Sequence, residues 1–307
     1  MNNLAKNYTS FVNKLKKNYT FAKNISEMLV LKTISEVRQA VAQYRKHGKT
    51  IGFVPTMGAL HDGHISLVKR SFEENFATIV SVFVNPTQFN NKEDLEKYPR
   101  TLQDDVNLLQ QSGCDIVFAP EVEEMYPQPD TRQFELGMVA EVMEGKFRPG
   151  HFNGVCQVVS KLLTITTPDK AYFGQKDYQQ IAVIRTMLSK GYVPEFKGEL
   201  VPCPIKRADD GLALSSRNQR LSPQQRISAL TISKALFSAK DKVKDGATAN
   251  DLRKYIEDTI SFDSNLKIEY VEIADKDTLC STNDLHNAII CVAVYDGDVR
   301  LIDNILL

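Results

Sequence analysis

Residues 77–85, ATIVSVFVN, limit the fold of this 307-residue chain more than any other stretch. The run is β-branched and apolar without the alternation of a half-exposed strand, so both of its faces must be covered. Covering both faces takes a helical layer on each side, and the flanking sequence supplies helices in alternation with further strands. Upstream, Thr33 and Glu36 have capping-box spacing and open a helix with Val37, Ala40, Val41 and Tyr44 on one face, ended by Gly48. A strand over 50–54 follows, then a helix with Ile65, Val68 and Phe72 at helical spacing. Downstream come a helix near 92–112 stopped by Gly113, a strand in DIVFAP, a strand in KAYFG, a helix from about 178 to 190 with Ile181, Ile184 and Leu188 inward, and a strand in GELVPCPI. Strands separated by helices need right-handed crossovers, which predicts a Rossmann-like, doubly wound parallel α/β sheet.

The pattern changes close to Pro202 and Pro204. Ser222, Pro223 and Gln225 form a strong helix start, KIEYVEIA and AIICVAVY look like strands, and Asp296-Gly297 is a hairpin signal. This predicts a smaller C-terminal α+β domain. Residues 1–27 differ again, with five lysines against one glutamate and KNYT twice, and no apolar segment of a secretory signal. The expected organisation is therefore an N-terminal appendage (1–27), a Rossmann-like domain (28–203) and an α+β domain (204–307).

Formal net charge is zero, which argues against an extended nucleic-acid surface, since neutralising a phosphate backbone needs a basic excess. No segment approaches the roughly 18 apolar residues that cross a bilayer. Five cysteines, at 114, 156, 203, 280 and 291, include no CxxC pair, so neither a disulfide framework nor a zinc cluster is suggested and a reducing, cytoplasmic setting suits them. The expected partners are small molecules, with no nucleic acid and no membrane.

In an open α/β sheet, ligands bind beyond the carboxyl ends of the strands, and the unusual motifs of this chain fall at such ends. FVPTMGALHDGH (53–64) places His61 and His64 in a glycine-rich turn at the head of a helix; Gly58 and Gly63 would admit a ligand close to the backbone, and Asp62 would cap the helix. Imidazoles there suit phosphate oxygens, helped by the helix dipole, although capping or surface histidines are equally compatible with the residues alone. Asn85 and Pro86 end the buried strand, and Gln88 offers an amide suited to a hydroxy acid. Asp104 and Asp105 are a solvated helix face or one ligand of a Mg²⁺ that keeps mostly phosphate and water. YFGQKDYQQ ends a strand at Gly174, presents Lys176, and sets Asp177 and Gln180 at capping-box spacing. Late in the chain, DGLALSSRN brings Ser215, Ser216 and Arg217 together, hydroxyls and a planar cation fit for a triphosphate. Neither a Walker loop nor a G-x-G-x-x-G after a strand is present.

PTMGALHDGH resembles the HIGH-type signature of the nucleotidylyltransferase superfamily. With FVNPTQF, EDLEKYPR, RPGHFNGV, YFGQKDYQQ and DGLALSSRN in this order, the chain from Met28 onward is similar to the pantothenate synthetase family. That resemblance implies a ligase of the coenzyme A pathway that joins pantoate to β-alanine with ATP and Mg²⁺, releasing AMP and pyrophosphate through a pantoyl adenylate, and it implies a homodimer. It assigns Met57, Gly58, Ala59, Leu60, His61, Asp62, Gly63 and His64 to ATP, with His64 as the acid that assists the leaving phosphate. It further assigns Gly174, Gln175, Lys176, Asp177, Lys206, Leu214, Ser215, Ser216 and Arg217 to the nucleotide, with His61, His64, Lys176 and Arg217 as the catalytic set. Gln88 and Gln180 are assigned to pantoate, Gln88 also to β-alanine, and Asp105 to magnesium. Lys206 departs from the usual apolar residue, and the resemblance gives Arg148 and His151 no role beyond lining the cleft. A nucleotidylyltransferase that stops after nucleotide transfer, or a nucleotide-sensing module without turnover, stands as the alternative.

Overall fold

The computed structural model describes residues 28–307, so the expectation for residues 1–27 lies outside the described residues. The chain runs β1 (Leu29–Leu31), α1 (Ile34–Lys46), β2 (Ile51–Thr56), α2 (Asp62–Glu74), β3 (Ala77–Val82), α3 (Lys92–Glu96), α4 (Leu102–Gln111), β4 (Ile116–Phe118) and α5 (Val122–Met125). It continues through α6 (Met143–Phe147), α7 (His151–Thr166), β5 (Lys170–Gly174), α8 (Tyr178–Ser189), β6 (Glu199–Cys203), α9 (Pro223–Lys244), α10 (Ala249–Ser261), β7 (Leu266–Asp275), β8 (Ala288–Asp296) and β9 (Val299–Leu306). Strands β1 to β6 make one parallel sheet in the order β1-β4-β3-β2-β5-β6, while β7-β8-β9 form a separate antiparallel sheet.

Period-two alternation divides the parallel sheet between two apolar layers. Ile51, Phe53, Ile79, Ile116, Phe118 and Phe173 face α1, α7 and α8, and Val54, Val80, Val117, Tyr172 and Val201 face α2 and α4. This is the doubly wound arrangement that the buried run demands, although its strand ends at Val82 and not at Asn85. The second sheet has its own core against α9 and α10, containing Leu236, Leu252, Ile256, Ile273 and Ile290.

Several local expectations change. The single helix near 92–112 is two, broken between Glu96 and Leu102, where Pro99 disfavours helical backbone at the residue before it. Phe72 is 37% exposed, and α2 buries Leu67 and Ser71 beside Ile65 and Val68. The Asp177–Gln180 capping box does not form: residues 175–177 make a 3₁₀ turn, and the Asp177 side chain caps nothing. Strand β1 and helices α7 and α10 had not been anticipated. The boxes at Thr33/Glu36 and Ser222/Gln225 form as their spacing predicts.

The sheet order decides where a ligand can enter. From β2 the chain moves outward to β3 and β4, then returns to the other side of β2 with β5, so the loops after β2 and β5 diverge and leave a crevice between them. His61 and His64 follow β2, and Lys176 follows β5.

Candidate active site

The turn between β2 and α2 is held in an uncommon shape. Gly58 and Ala59 both have left-handed backbones, with φ of 79° and 49°. For the alanine this costs about 1–2 kcal/mol unless the surroundings hold it. Asp105 of α4 does so: its Oδ2 accepts from the Ala59 N–H at 3.0 Å and its Oδ1 from the Leu60 N–H at 2.8 Å. A Cβ at Gly58 would lie 2.9 Å from that same Oδ2, so this glycine makes room for Asp105 rather than for a ligand.

Asp105 therefore has a structural task in this turn, in addition to any magnesium ligation that the family resemblance implies. It is 2% exposed, does not border the cavity, and both of its oxygens are engaged by backbone. Among the described residues no group of three or more His, Cys, Asp or Glu side chains is placed to hold a metal ion. Asp105→Ala should lower the unfolding free energy by about 3 kcal/mol, since two buried N–H groups lose their acceptor at roughly 1–3 kcal/mol each. Urea denaturation checks this; an unchanged midpoint together with a shifted Mg²⁺ dependence of activity would leave Asp105 the metal role alone.

The head of α2 is capped by imidazoles, not by Asp62, which is exposed. His61 is the N-cap: its Nδ1 accepts from the Gly63 N–H at 3.1 Å, and the Nδ1 of His64 accepts from the His61 N–H at 3.3 Å. A Cβ at Gly63 would fall 2.8 Å from His61 Nδ1, so this glycine is needed for the cap itself. The chemical consequence is a fixed tautomer. A ring nitrogen that accepts cannot carry a proton, so in each neutral ring the hydrogen sits on Nε2. The two rings lie 4.1 Å apart, centroid to centroid.

Both rings are held neutral. Burial, then the Lys176 ammonium, lowers His61 to a pKa of about 4; burial, then His61 and Lys176, lowers His64 to about 3. His151 falls to about 4, through burial and then Arg148. In the unfolded chain these groups have the ordinary value of 6.5, so between pH 6.5 and about 4 the unfolded state binds more protons than the folded one, and stability falls as pH falls through that window. In the ligand-free protein, the ring Cε1–H resonances of His61, His64 and His151 should not titrate between pH 6 and 8. A midpoint in that range for His64 would contradict the neutral assignment.

These groups border a cavity of about 220 Å³ at the crevice between β2 and β5. The structure brings onto it Met57, His61, Gly63, His64, Gln88, Gly174, Lys176, Asp177, Gln180, Lys206, Leu214, Ser215, Ser216 and Arg217. Gly58, Ala59, Leu60, Asp62 and Gln175 do not border it: Ala59 and Leu60 are pinned by Asp105, and Gln175 turns its carbonyl toward Asn304. Lys206 is exposed at the rim, its carbonyl accepting from the Leu214 N–H at 3.0 Å.

Gln88 is buried against α7. Its Nε2 donates to Met57 Sδ at 3.2 Å, a weak acceptor that a ligand oxygen would outcompete, and its Oε1 accepts from Asn85. His151, the first residue of α7, holds the Gln88 carbonyl through Nδ1 at 2.8 Å, and Arg148 reaches His151 Nε2 at 3.2 Å. A carbonyl only accepts, so His151 carries its proton on Nδ1, opposite to the capping pair. Arg148 is also 3.5 Å from Glu144. Gln180 and Gln179 divide their work: Gln180 faces the cavity, while buried Gln179 donates to the Val139 and Val142 carbonyls and accepts from the Glu144 N–H.

The 214–217 segment closes one side. Ser216 donates to the Ala59 carbonyl at 3.0 Å, tying this segment to the imidazole turn, and Arg217 pairs with Asp94 of α3 at 2.9 Å, beside Arg220 at 3.4 Å. A larger hollow of about 470 Å³ adjoins the cavity here and shares Arg148, Lys176, Asp177, Ser215 and Arg217 with it. Asp94 and the apolar wall of Val155, Val158, Val159 and Leu162 from α7 were not anticipated. The Asp94 link rests on a long-range pairing that sequence spacing does not encode.

Similarity to known proteins gives the family. Residues 29–306 match the sequence model of the family described as pantoate-beta-alanine ligase. A pantothenate synthetase of Bacteroides thetaiotaomicron is 52% identical over 281 residues, covering 91% of this chain and 98% of that protein. The crystal structure of pantothenate synthetase from Thermus thermophilus superposes with a TM-score of 0.85 at 40% identity, covering 91% of this chain and 99% of that one. Pantoate-beta-alanine ligase from Francisella tularensis, solved with beta-gamma ATP and beta-alanine, gives a TM-score of 0.76 at 37% identity over 91% of this chain and 98% of that one. With that match and with coverage of almost the full length of these proteins, the chain belongs to the pantoate–β-alanine ligase family, the pantothenate synthetases.

Proposed function

We infer that the chain catalyses the ATP-dependent ligation of pantoate and β-alanine to pantothenate, with pantoyl adenylate as the intermediate. Family membership supports the overall reaction, and the observation that supports the residue roles is the meeting of two Nε2–H imidazoles with Lys176 on a cavity that also presents Gln88 and Gln180.

A carboxylate is a poor acylating agent because its leaving group would be oxide, so the oxygen must first be given a better one. A pantoate carboxylate oxygen attacks the α-phosphorus of ATP, the bond from that phosphorus to the bridging oxygen breaks, and pyrophosphate leaves with the electron pair. Charge grows on the pyrophosphate side, where His61 and His64 donate from Nε2 and Lys176 supplies its ammonium. Donors already in place at such a point are worth roughly 2.7–4 kcal/mol each. In the ligand-free protein His64 is neutral with its proton on Nε2, so it meets the leaving group as a hydrogen-bond donor. Magnesium would enter with the triphosphate as part of the substrate and would neutralise charge on it.

In the second step the neutral amine of β-alanine attacks the acyl carbon, the C–O bond to AMP breaks with its electron pair on the phosphate oxygen, and the amine's proton passes to that phosphate or to solvent as the amide forms. Positioning by Gln88 and exclusion of water govern this step. Residues 204–307 act as a separate lid domain over the cavity, with Ser215, Ser216 and Arg217 enclosing the triphosphate once Arg217 exchanges Asp94 for phosphate. The resemblance to the family adds a homodimer and a cytoplasmic setting to this reading.

A product assay tests it. Pantothenate, AMP and pyrophosphate in equal amounts from pantoate, β-alanine and Mg-ATP support the reading; a released nucleotidyl product, or binding without turnover, overturns it.

A further inference from the structure

The residues of β9 alternate between two tasks. Val299, Leu301 and Ile305 enter the core beneath α9 and α10, while from the opposite face Arg300 reaches α6 and Asn304 reaches the turn after β5. Arg300 makes paired bonds to Glu144 at 2.8 and 2.7 Å. Asn304, 3% exposed, donates from Nδ2 to the Gln175 carbonyl at 3.0 Å and the Lys176 carbonyl at 2.9 Å. Turning the amide over would set its oxygen against two carbonyl oxygens, so the donor orientation is fixed by chemistry. Its Oδ1 has no partner in this orientation, which leaves the two carbonyls as the reason for it.

The preceding residue grips the other phosphate-facing segment. Asp303 accepts from Arg207 at 2.6 and 2.9 Å, Arg207 also donates to the Gly211 carbonyl at 3.2 Å, and Arg207 and Ala213 form the β-bridge at the root of the 214–217 segment. Two adjacent residues of one strand thus hold the backbones behind Lys176 and behind Arg217.

A single 3₁₀ turn over 175–177, with no side-chain cap, is a weak mount for a long, flexible lysine. We propose that Asn304 is a positioning residue for Lys176, fixing the Gln175 and Lys176 carbonyls so that the ammonium stands at the triphosphate during adenylate formation. The inference rests on the reading of Lys176 as a phosphate-binding group, and it extends that reading to a residue of the second sheet that itself touches no substrate.

The test is a double-mutant cycle on the full chain, in which Asn304→Ala and Lys176→Ala are made singly and together. Two rates are measured: single-turnover pantoyl adenylate formation, and aminolysis of preformed pantoyl adenylate by β-alanine. Asn304→Ala should slow the first by roughly tenfold to thirtyfold, as a misplacement of about 1 Å can, and leave the second within about twofold. In the Lys176→Ala background its further effect on adenylate formation should shrink to under about threefold, because coupled residues do not add. Asn304→Ser, whose hydroxyl can donate to one of the two carbonyls, should fall between wild type and alanine, and it carries the same cycle if the alanine variant does not fold. An undiminished loss in the Lys176→Ala background, or equal losses in both half-reactions, overturns the inference. If Lys176→Ala itself leaves adenylate formation unchanged, the prior reading of Lys176 fails and takes the inference with it.

Discussion

His64→Ala lowers the rate of pantoyl adenylate formation by at least about a hundredfold, the size expected when one preorganised donor to developing charge is removed. The rate is to be read as a single turnover with saturating pantoate and Mg-ATP, before β-alanine is added. The variant also loses the acceptor for the His61 N–H, a cap contribution of about 1 kcal/mol. His64→Gln separates the two effects. Glutamine at the third helical position can accept from the cap N–H in the ordinary capping box, so stability should return while adenylation stays at least about tenfold below wild type. Recovery of the rate with glutamine would show that His64 serves the turn and not the phosphate.

Lys176→Ala produces a loss of similar size, again about a hundredfold or more in adenylate formation. The ammonium is poorly matched inside the protein: its ion pair is with Asp177 at 3.9 Å, and that carboxylate is half exposed. A weak internal partner leaves the charge available to an incoming triphosphate. The Michaelis constant for ATP should rise and the turnover number fall together, whereas aminolysis of preformed adenylate should change little. A second readout is independent of rate. Lys176 is among the groups that lower His61 and His64, so both imidazole pKa values should move up in the variant. Near-normal adenylation, or unmoved imidazoles, would remove Lys176 from the role proposed for it.

Much of the parallel sheet was legible because its strands carry their burial in their composition. ATIVSVFVN admits no exposed face, and KAYFG is a strand over its full length. Helix α7 was illegible for the converse reason. His151–Thr166 is buried on nearly every side, so it lacks the charged outer face that marks an ordinary surface helix, and Gly154 within it argues against a helix until its purpose is seen: a Cβ there would lie 2.3 Å from the Thr87 carbonyl oxygen. Strand β1 is only three residues long, too short for a pattern. Helix α10 does carry a readable start, the Thr248–Asp251 box, with aspartate in place of the usual glutamate or glutamine.

At the site, the motifs located the residues but not their partners. FVPTMGALHDGH shows two histidines near glycines; that the glycines make room for Asp105 and for the His61 ring, and that the histidines cap the helix with Nδ1, emerges only from contacts across the fold. Those contacts bear on the chemistry, since they place the ring proton of each neutral imidazole on Nε2. The same limit applies to Asp94, Asn304 and Arg300, each of which meets its partner more than a hundred residues away.

The central claim is that the pantoate carboxylate captures the α-phosphorus of ATP in this cavity, and isotopic labelling of that carboxylate tests it most directly. With ¹⁸O in the pantoate carboxyl group and β-alanine present, mass spectrometry should find one label in the phosphate of AMP and none in pyrophosphate. Label in pyrophosphate or inorganic phosphate, or an unlabelled AMP, would contradict it.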